Sequence, residues 1–144
     1  MLGILDGVNR LLDKPDFGKL FLRVSFSVLM LFHGWHKIHG GIGAIEGMLT
    51  SAGLPAFIGY GVYVGEVITP ILMILGIFIR PSALIFSFTM VAATMLVHMN
   101  TFFTLNAKTG AWVAESTAVF FFAGIAIALL GSGKYSVMSN PRWR

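Results

Sequence analysis

Four long apolar runs constrain this sequence more than any other feature. They cover residues 20–38, 58–79, 82–104 and 112–131, and their lengths are 19, 22, 23 and 20 residues. A helix needs about 20 residues to cross the hydrocarbon core of a bilayer, and continuous runs of this length favour helices over alternating strands. The chain is 56% hydrophobic and 11% charged, which is about half the charged fraction of an average soluble domain. We therefore predict an all-α integral membrane protein that forms one four-helix bundle over residues 1–144, with the lipid bilayer as its surroundings.

The segments outside these runs complete the predicted architecture. Within residues 1–19, Leu2, Leu5, Val8, Leu11 and Leu12 recur at helical spacing. This pattern predicts an amphipathic helix in the membrane interface, and Pro15 is expected to end it. The first connection, residues 39–57, is long and is expected on the extracytoplasmic side, with a short surface helix over residues 43–52 that Gly53 ends.

Basic residues indicate the orientation of this bundle. In the predicted threading, seven basic residues lie on one side and two, Lys37 and Lys108, on the other; the seven are Arg10, Lys14, Lys19, Arg80, Lys134, Arg142 and Arg144. Cytoplasmic segments of membrane proteins carry an excess of Lys and Arg. Both termini are therefore predicted to be cytoplasmic, with residues 80–82 ("RPS") as a tight hairpin and residues 132–144 as a cytoplasmic tail. The net charge of +4 then needs no nucleic-acid partner to explain it.

Titratable side chains of all four runs are predicted to reach one level of the membrane. At 1.5 Å per residue, Glu66 lies about 12 Å below the outer end of its helix, His98 about 9 Å and Glu115 about 4–5 Å. In the first run, His36 and Lys37 lie at the outer end and His33 about 6–8 Å below it, and Tyr63 and Trp112 also lie in the outer half. Because ionisable residues are costly inside a bilayer, we interpret this cluster as a polar pocket in the outer half of the bundle.

Simpler interpretations of the same residues remain open. Lys37 and Glu115 can be interface anchors, Glu66 can form a structural ion pair with Lys37 or bond to a histidine, and the aromatic residues can form a membrane-interface belt. Arg23, at the inner end of the first run, can snorkel to the surface or contact a lipid phosphate, a partner or a quinone head group. Pro70 removes a hydrogen bond to the Glu66 carbonyl and is expected to bend its helix there.

The chemistry that this cluster can support is limited by the lack of cysteine. Thiol catalysis and thiolate metal sites are excluded. A metal bound by His33, His36, Glu66 and His98, or a haem bound by one histidine, is conceivable, but no metal motif is present. A quinone needs only an apolar slot and a histidine or acid to exchange protons with its ring oxygens. The inner half has few polar residues, so a proton path across the whole membrane is incomplete.

The order of several short motifs resembles the DoxX family of small four-helix membrane proteins of bacteria and archaea. These motifs are Arg23 with "FHGWHKI" (32–38), "GEVITPILMILGIFIRP" (65–81), the acid of "AES" (114–116) and "GSGKYSV" (131–137), and together they cover roughly residues 17–138. The resemblance implies an inner-membrane location. It marks Arg23, His33, Gly34, Lys37, Glu66 and Arg80 as the positions that carry the family pattern.

The resemblance also implies a class of function, because relatives include a subunit of a thiosulfate:quinone oxidoreductase and components of thiol-redox assemblies. We expect a membrane subunit of an oxidoreductase, with Glu66 and His33 or His98 as proton-handling residues. The expected binding residues are Lys37, His36, Tyr63, Glu115, Trp112 and Arg23. The alternatives are a non-catalytic scaffold in a protein complex or homo-oligomer, as in distant relatives, and a transporter of a small solute or protons.

Overall fold

The structure, a computed structural model, describes residues 2–144, and within them it is helical without strands. Six helices follow one another: α1 (Leu2–Leu12), α2 (Pro15–Gly40), α3 (Gly43–Ser51), α4 (Ala56–Leu75), α5 (Ile79–Val97) and α6 (Glu115–Leu130). Three of them, α2, α4 and α5, are long and apolar enough to cross a membrane, whereas α6 has 16 residues. The predicted all-helical membrane character is therefore confirmed.

Helix α1 and the start of α2 show how local sequence sets the helix ends. Helix α1 ends at Leu12, and none of its residues is buried. Pro15 is the first residue of α2, where its missing N–H would have no partner in any case, and Asp16 follows it beside the positive end of the helix dipole. The proline therefore ends one helix and starts the next.

Helices α2, α4, α5 and α6 pack around a shared core. Helix α2 contacts α4 and α6, and α5 contacts the same two neighbours. The core contains one buried cluster with side chains from all four helices: Met30, Met73, Ile79, Ala83, Phe86, Met90, Ile127 and Ala128. We name the two ends of this assembly the Arg80 end, where α2 and α5 begin, and the Lys37 end, where α4 and α6 begin.

Two connections differ from the prediction. Residues 80–82 are not a hairpin but lie inside the first turn of α5, where Pro81 needs no N–H donor. The chain instead turns at Gly76, which has φ 80°, and at Phe78, which has φ 46°. The third run also ends earlier, since α5 stops at Val97 and residues 98–114 form the connection, held by backbone bonds such as Val113 N to Thr104 O, 3.1 Å.

Helix α4 is irregular in its middle. A 3₁₀ turn (Ala56–Tyr60) and a short α segment (Gly61–Tyr63) lead into a π-helical turn (Val64–Ile68), and regular α-helix resumes at Thr69–Leu75. Pro70 cannot donate to the carbonyl of Glu66, and the Thr69 hydroxyl donates to the Gly65 carbonyl at 2.9 Å. The disturbance expected at Pro70 therefore takes the form of a π-helical turn, and this turn carries Glu66.

Candidate functional site

Lys37 and Glu66 form a bidentate ion pair between α2 and α4. The lysine Nζ lies 2.6 Å from Oε1 and 2.7 Å from Oε2 of Glu66. The Glu66 side chain is 5% exposed and the Lys37 side chain 25% exposed. A buried carboxylate is stable only when it is paired and hydrogen-bonded, so the pair neutralises a charge that would otherwise be costly between the helices.

The backbones of α2 and α4 also approach each other closely beside this pair. A Cβ atom added to Gly34 would lie 2.6 Å from the backbone oxygen of Glu66 and 2.7 Å from a methyl group of Val67. Only glycine lets α2 approach the π-helical turn this closely. The hydroxyl of Tyr63 donates to the Lys37 carbonyl at 3.2 Å, one turn before Glu66. Lys37, Glu66 and Tyr63 thus form one connected group.

A groove of about 290 Å³ lies beside the ion pair. It is lined by Ile38, Tyr63, Val67 and Ile68, which are close in sequence to Lys37 or Glu66. Ile38 and Ile68 are each 50% exposed. The groove therefore opens on the outer surface of the packed helices, where a membrane protein of this kind meets lipid.

The predicted histidines do not join the Lys37–Glu66 pair. His33 is exposed on α2, and its ring packs edge-on against Phe120 with centroids 5.8 Å apart. His36 is exposed, and His98 follows the last residue of α5. Among the hydrogen bonds of residues 2–144, none links these histidines to the pair, and no three acids or histidines of that range come together as a metal site.

Glu115 and Trp112 also lie apart from the pair. Glu115 is exposed in the first turn of α6, where the helix dipole favours a negative charge. Trp112 precedes that helix, packs edge-on against the Phe102 ring with centroids 5.1 Å apart, and donates its indole N–H to the Phe102 carbonyl. Trp112 belongs to the connection between α5 and α6, and Glu115 begins α6.

Arg23 lies at the opposite end, and the snorkelling interpretation of it is wrong. The residue is 1% exposed. Its Nη1 donates to the carbonyls of Met73 and Ile74 at 2.8 and 2.7 Å, and its Nε donates to Ser132 O at 3.3 Å. The Met73 and Ile74 carbonyls lie in the last turn of α4 and would otherwise lack partners. The guanidinium is therefore held inside by backbone acceptors rather than by an acid.

Arg80 donates to carbonyls at the end of α6, as Arg23 does at the end of α4. Its Nη1 donates to the carbonyls of Ala128 and Leu129 at 2.7 and 3.0 Å. The segment 132–144 also packs here, because Val137 N donates to Leu75 O at 3.0 Å and Phe78 N to Trp143 O at 2.7 Å. This end is therefore closed by arginines and by the C-terminal segment.

Sequence reasoning missed two polar residues that the structure places together. Thr94 of α5 and Thr117 of α6 have their hydroxyl oxygens 2.7 Å apart, in the wall of an apolar cavity. The signal for them was present, since each threonine lies near the same end of an apolar run. Depth alone, however, does not show which faces of two helices meet.

Comparison with known proteins agrees with this arrangement. The DoxX family model matches residues 18–99, more than half of the chain, and the match includes Arg23, Lys37, Glu66 and Arg80. A Bacillus subtilis (strain 168) protein named "Putative oxidoreductase CatD" is 30% identical over 117 residues, which are 81% of this chain and 81% of that protein. No solved structure matches the chain significantly. The motifs, the helices and the family match lead to one conclusion: this chain belongs to the DoxX family.

Proposed function

We propose that this protein is the membrane subunit of an oxidoreductase system and binds a quinone in the groove beside Lys37 and Glu66. One observation carries this proposal: the ion pair between Lys37 and the buried Glu66 of the π-helical turn lies next to an apolar groove that opens to the outside of the helices. Small-molecule sites typically combine an apolar lining with a few well-placed polar groups. π-helical turns also occur frequently at functional sites.

The hydrogen-bonding capacity of Lys37 suits a quinone. An ammonium group has three N–H donors, and the two carboxylate oxygens of Glu66 account for two of them. The lysine side chain is 25% exposed, and we propose that its third donor turns toward the groove and bonds a quinone ring oxygen, which is an acceptor. A hydrogen bond to a charged group contributes about 1.5–3 kcal/mol.

Quinone reduction takes up two electrons and two protons. The chain has no cysteine, and we propose that a partner enzyme in the same membrane complex supplies the electrons. Glu66 and Lys37 would pass the protons, and His33, whose ring packs against Phe120 of α6, has no part in this step. The proposal gives His36, His98, Glu115 and Trp112 no role at the groove, and Arg23 a structural role.

A binding titration tests this function. Decylubiquinone would be titrated into the purified protein in lipid nanodiscs, for the wild type and for Glu66→Gln. We expect Glu66→Gln to weaken binding about tenfold or more, because the ion pair that orients Lys37 is lost. Glu115→Gln removes an exposed carboxylate from another helix and serves as the matched control. Equal affinity of the wild type and Glu66→Gln would contradict the proposal that quinone binds in the groove.

A second function, a non-catalytic assembly protein, is favoured by the self-contained hydrogen bonding of the polar residues. Both carboxylate oxygens of Glu66 accept from Lys37, and Arg23 and Arg80 bond only to backbone carbonyls. Polar groups whose hydrogen bonds are all made within the protein can have a purely structural role, in which they fix how the helices pack. Isolation of a stable protein complex with no quinone in its extracted small molecules would favour this function.

We also propose that α2, α4, α5 and α6 all cross the inner membrane, with the Arg80 end in the cytoplasm. The count of basic residues supports this orientation, since Arg80, Lys134, Arg142 and Arg144 all belong to that end. The chain has no cysteine, so single cysteines can be labelled without background. Thr109→Cys should react with an impermeant maleimide on intact cells, whereas Asn140→Cys should react only after lysis.

A further inference from the structure

A second, larger cavity lies between α5, α6 and the connection 98–114. Its volume is about 580 Å³, and Lys37 and Glu66 are not among its lining residues. Met95 and Phe122 at its rim are 57% and 64% exposed. The cavity therefore opens sideways at the Lys37 end, toward the surface that would face lipid.

The lining of this cavity is apolar and aromatic. Its walls include Met90, Met95, Phe102, Trp112 and Phe121, and no charged side chain lines it. Aromatic rings pack well against other rings and against thioether sulfur. The volume is about four times the 150 Å³ of an engineered cavity that binds benzene, which leaves room for a fused ring system or a ring with a chain. A charged ligand has no partner here.

Thr94 and Thr117 provide the polar contact, and their protons are already used. The Thr94 oxygen lies 2.8 Å from the Met90 carbonyl and 2.7 Å from the Thr117 oxygen. The Thr117 oxygen in turn lies 3.0 Å from the Ala114 carbonyl. Each hydroxyl has one proton and two lone pairs, and both carbonyls can only accept. The two protons can serve only two of these three contacts, and in each such arrangement both protons are engaged, so the hydroxyls offer a ligand only acceptor lone pairs.

The indole of Trp112 leads to the same conclusion, since its N–H is donated to the Phe102 carbonyl. We propose that this cavity binds an uncharged, apolar ring compound that carries a hydroxyl group and donates its proton to Thr94 or Thr117. This preference is opposite to the one proposed for the groove, where Lys37 would offer a donor. The inference goes beyond the proposed function and does not depend on it.

Photolabelling of the protein in nanodiscs tests this inference. The probe is a phenol that carries a trifluoromethyl diazirine, and mass spectrometry locates the labelled peptides. Labelling is expected on peptides that contain Met95, Phe102 or Phe122. The competitors are 2-naphthol and 2-methoxynaphthalene, which share a ring system but differ in the hydroxyl proton. We expect 2-naphthol to compete about fivefold better, as one neutral hydrogen bond allows.

Three variants make the result specific. Ala118→Trp places an indole ring inside the cavity and should displace the probe, whereas Val119→Trp, at an exposed neighbouring position outside the lining, should not. Replacing both Thr94 and Thr117 by Val keeps the shape of the cavity, so labelling should persist while the fivefold preference disappears. Labelling that survives Ala118→Trp would overturn the site. A preference for 2-naphthol that survives the double Val replacement would overturn the role of the threonines.

Discussion

The Nζ atom of Lys37 lies within 2.7 Å of both carboxylate oxygens of Glu66, and this contact joins the last turns of α2 to the π-helical turn of α4. The pair lies where Gly34 brings the two backbones together. Charge pairing and close packing therefore act on the same few residues, and each can be tested separately.

Replacing one partner of the ion pair should lower the stability of the protein more than replacing both partners. Lys37→Met leaves the Glu66 carboxylate buried without a partner and should lower the free energy of unfolding by about 3 kcal/mol. Lys37→Met combined with Glu66→Leu removes both charges and should recover most of that loss, because an apolar pair of similar volume is often neutral or stabilising. Chemical denaturation in detergent measures both values. A double variant no more stable than the single one would contradict this prediction.

Gly34→Ala should destabilise the packing of α2 on α4. The added methyl group would lie 2.6 Å from the Glu66 carbonyl oxygen, so the helices must move apart, at a cost of about 2 kcal/mol. Gly18→Ala is the matched control, since it lies in the same helix and a Cβ there meets nothing within 4 Å. It should be neutral or stabilise the helix by up to about 1 kcal/mol. The midpoints of thermal unfolding of the two variants are compared with that of the wild type. Equal changes for both variants would argue against the close contact at Gly34.

Arg23→Met should destabilise the protein although no acid contacts this arginine. The substitution removes the donors to the Met73 and Ile74 carbonyls, and we expect a loss of about 3 kcal/mol. Arg10→Met, on the exposed helix α1, should leave the midpoint of thermal unfolding unchanged. An Arg23→Met protein as stable as the wild type would show that these hydrogen bonds contribute nothing.

Ser27→Ala should stabilise the protein. Ser27 is 0% exposed, and among the residues that the structure describes its hydroxyl is the one buried side-chain polar atom without a hydrogen-bond partner. Removing an unsatisfied buried hydroxyl should gain about 1 kcal/mol. Ser87→Ala is the comparison, because Ser87 is also buried but donates to the Phe121 carbonyl at 2.9 Å. That variant should lose stability, and a loss for both variants would count against the prediction.

The helices could be predicted from sequence because the length of an apolar run and the rise per residue are enough to place them. The same arithmetic put Lys37 and Glu66 in the same half of the bundle, where they meet. It could not decide which helix faces meet, since each residue turns the helix by about 100°. For this reason His33, His98 and Glu115 were expected around one chamber, whereas the structure leaves them outside the ion pair.

The contacts of Arg23 could not be predicted from the sequence, for a different reason. Its partners are backbone carbonyls at the end of α4, and a carbonyl carries no residue-specific signal. Pro70, in contrast, was informative because its missing N–H must disturb the helix one turn earlier. Sequence therefore predicted a disturbance at Glu66, but not that it would be a π-helical turn.

The double variant of Lys37→Met and Glu66→Leu tests the central claim, that this pair is the polar centre of a quinone site, most directly. It is expected to remain folded, so a change in affinity will report the lost N–H donor rather than unfolding. Titrated with decylubiquinone in nanodiscs, it should bind at least about tenfold more weakly than the wild type, the loss expected for a charge-assisted hydrogen bond. A folded double variant that binds decylubiquinone as tightly as the wild type would contradict the account.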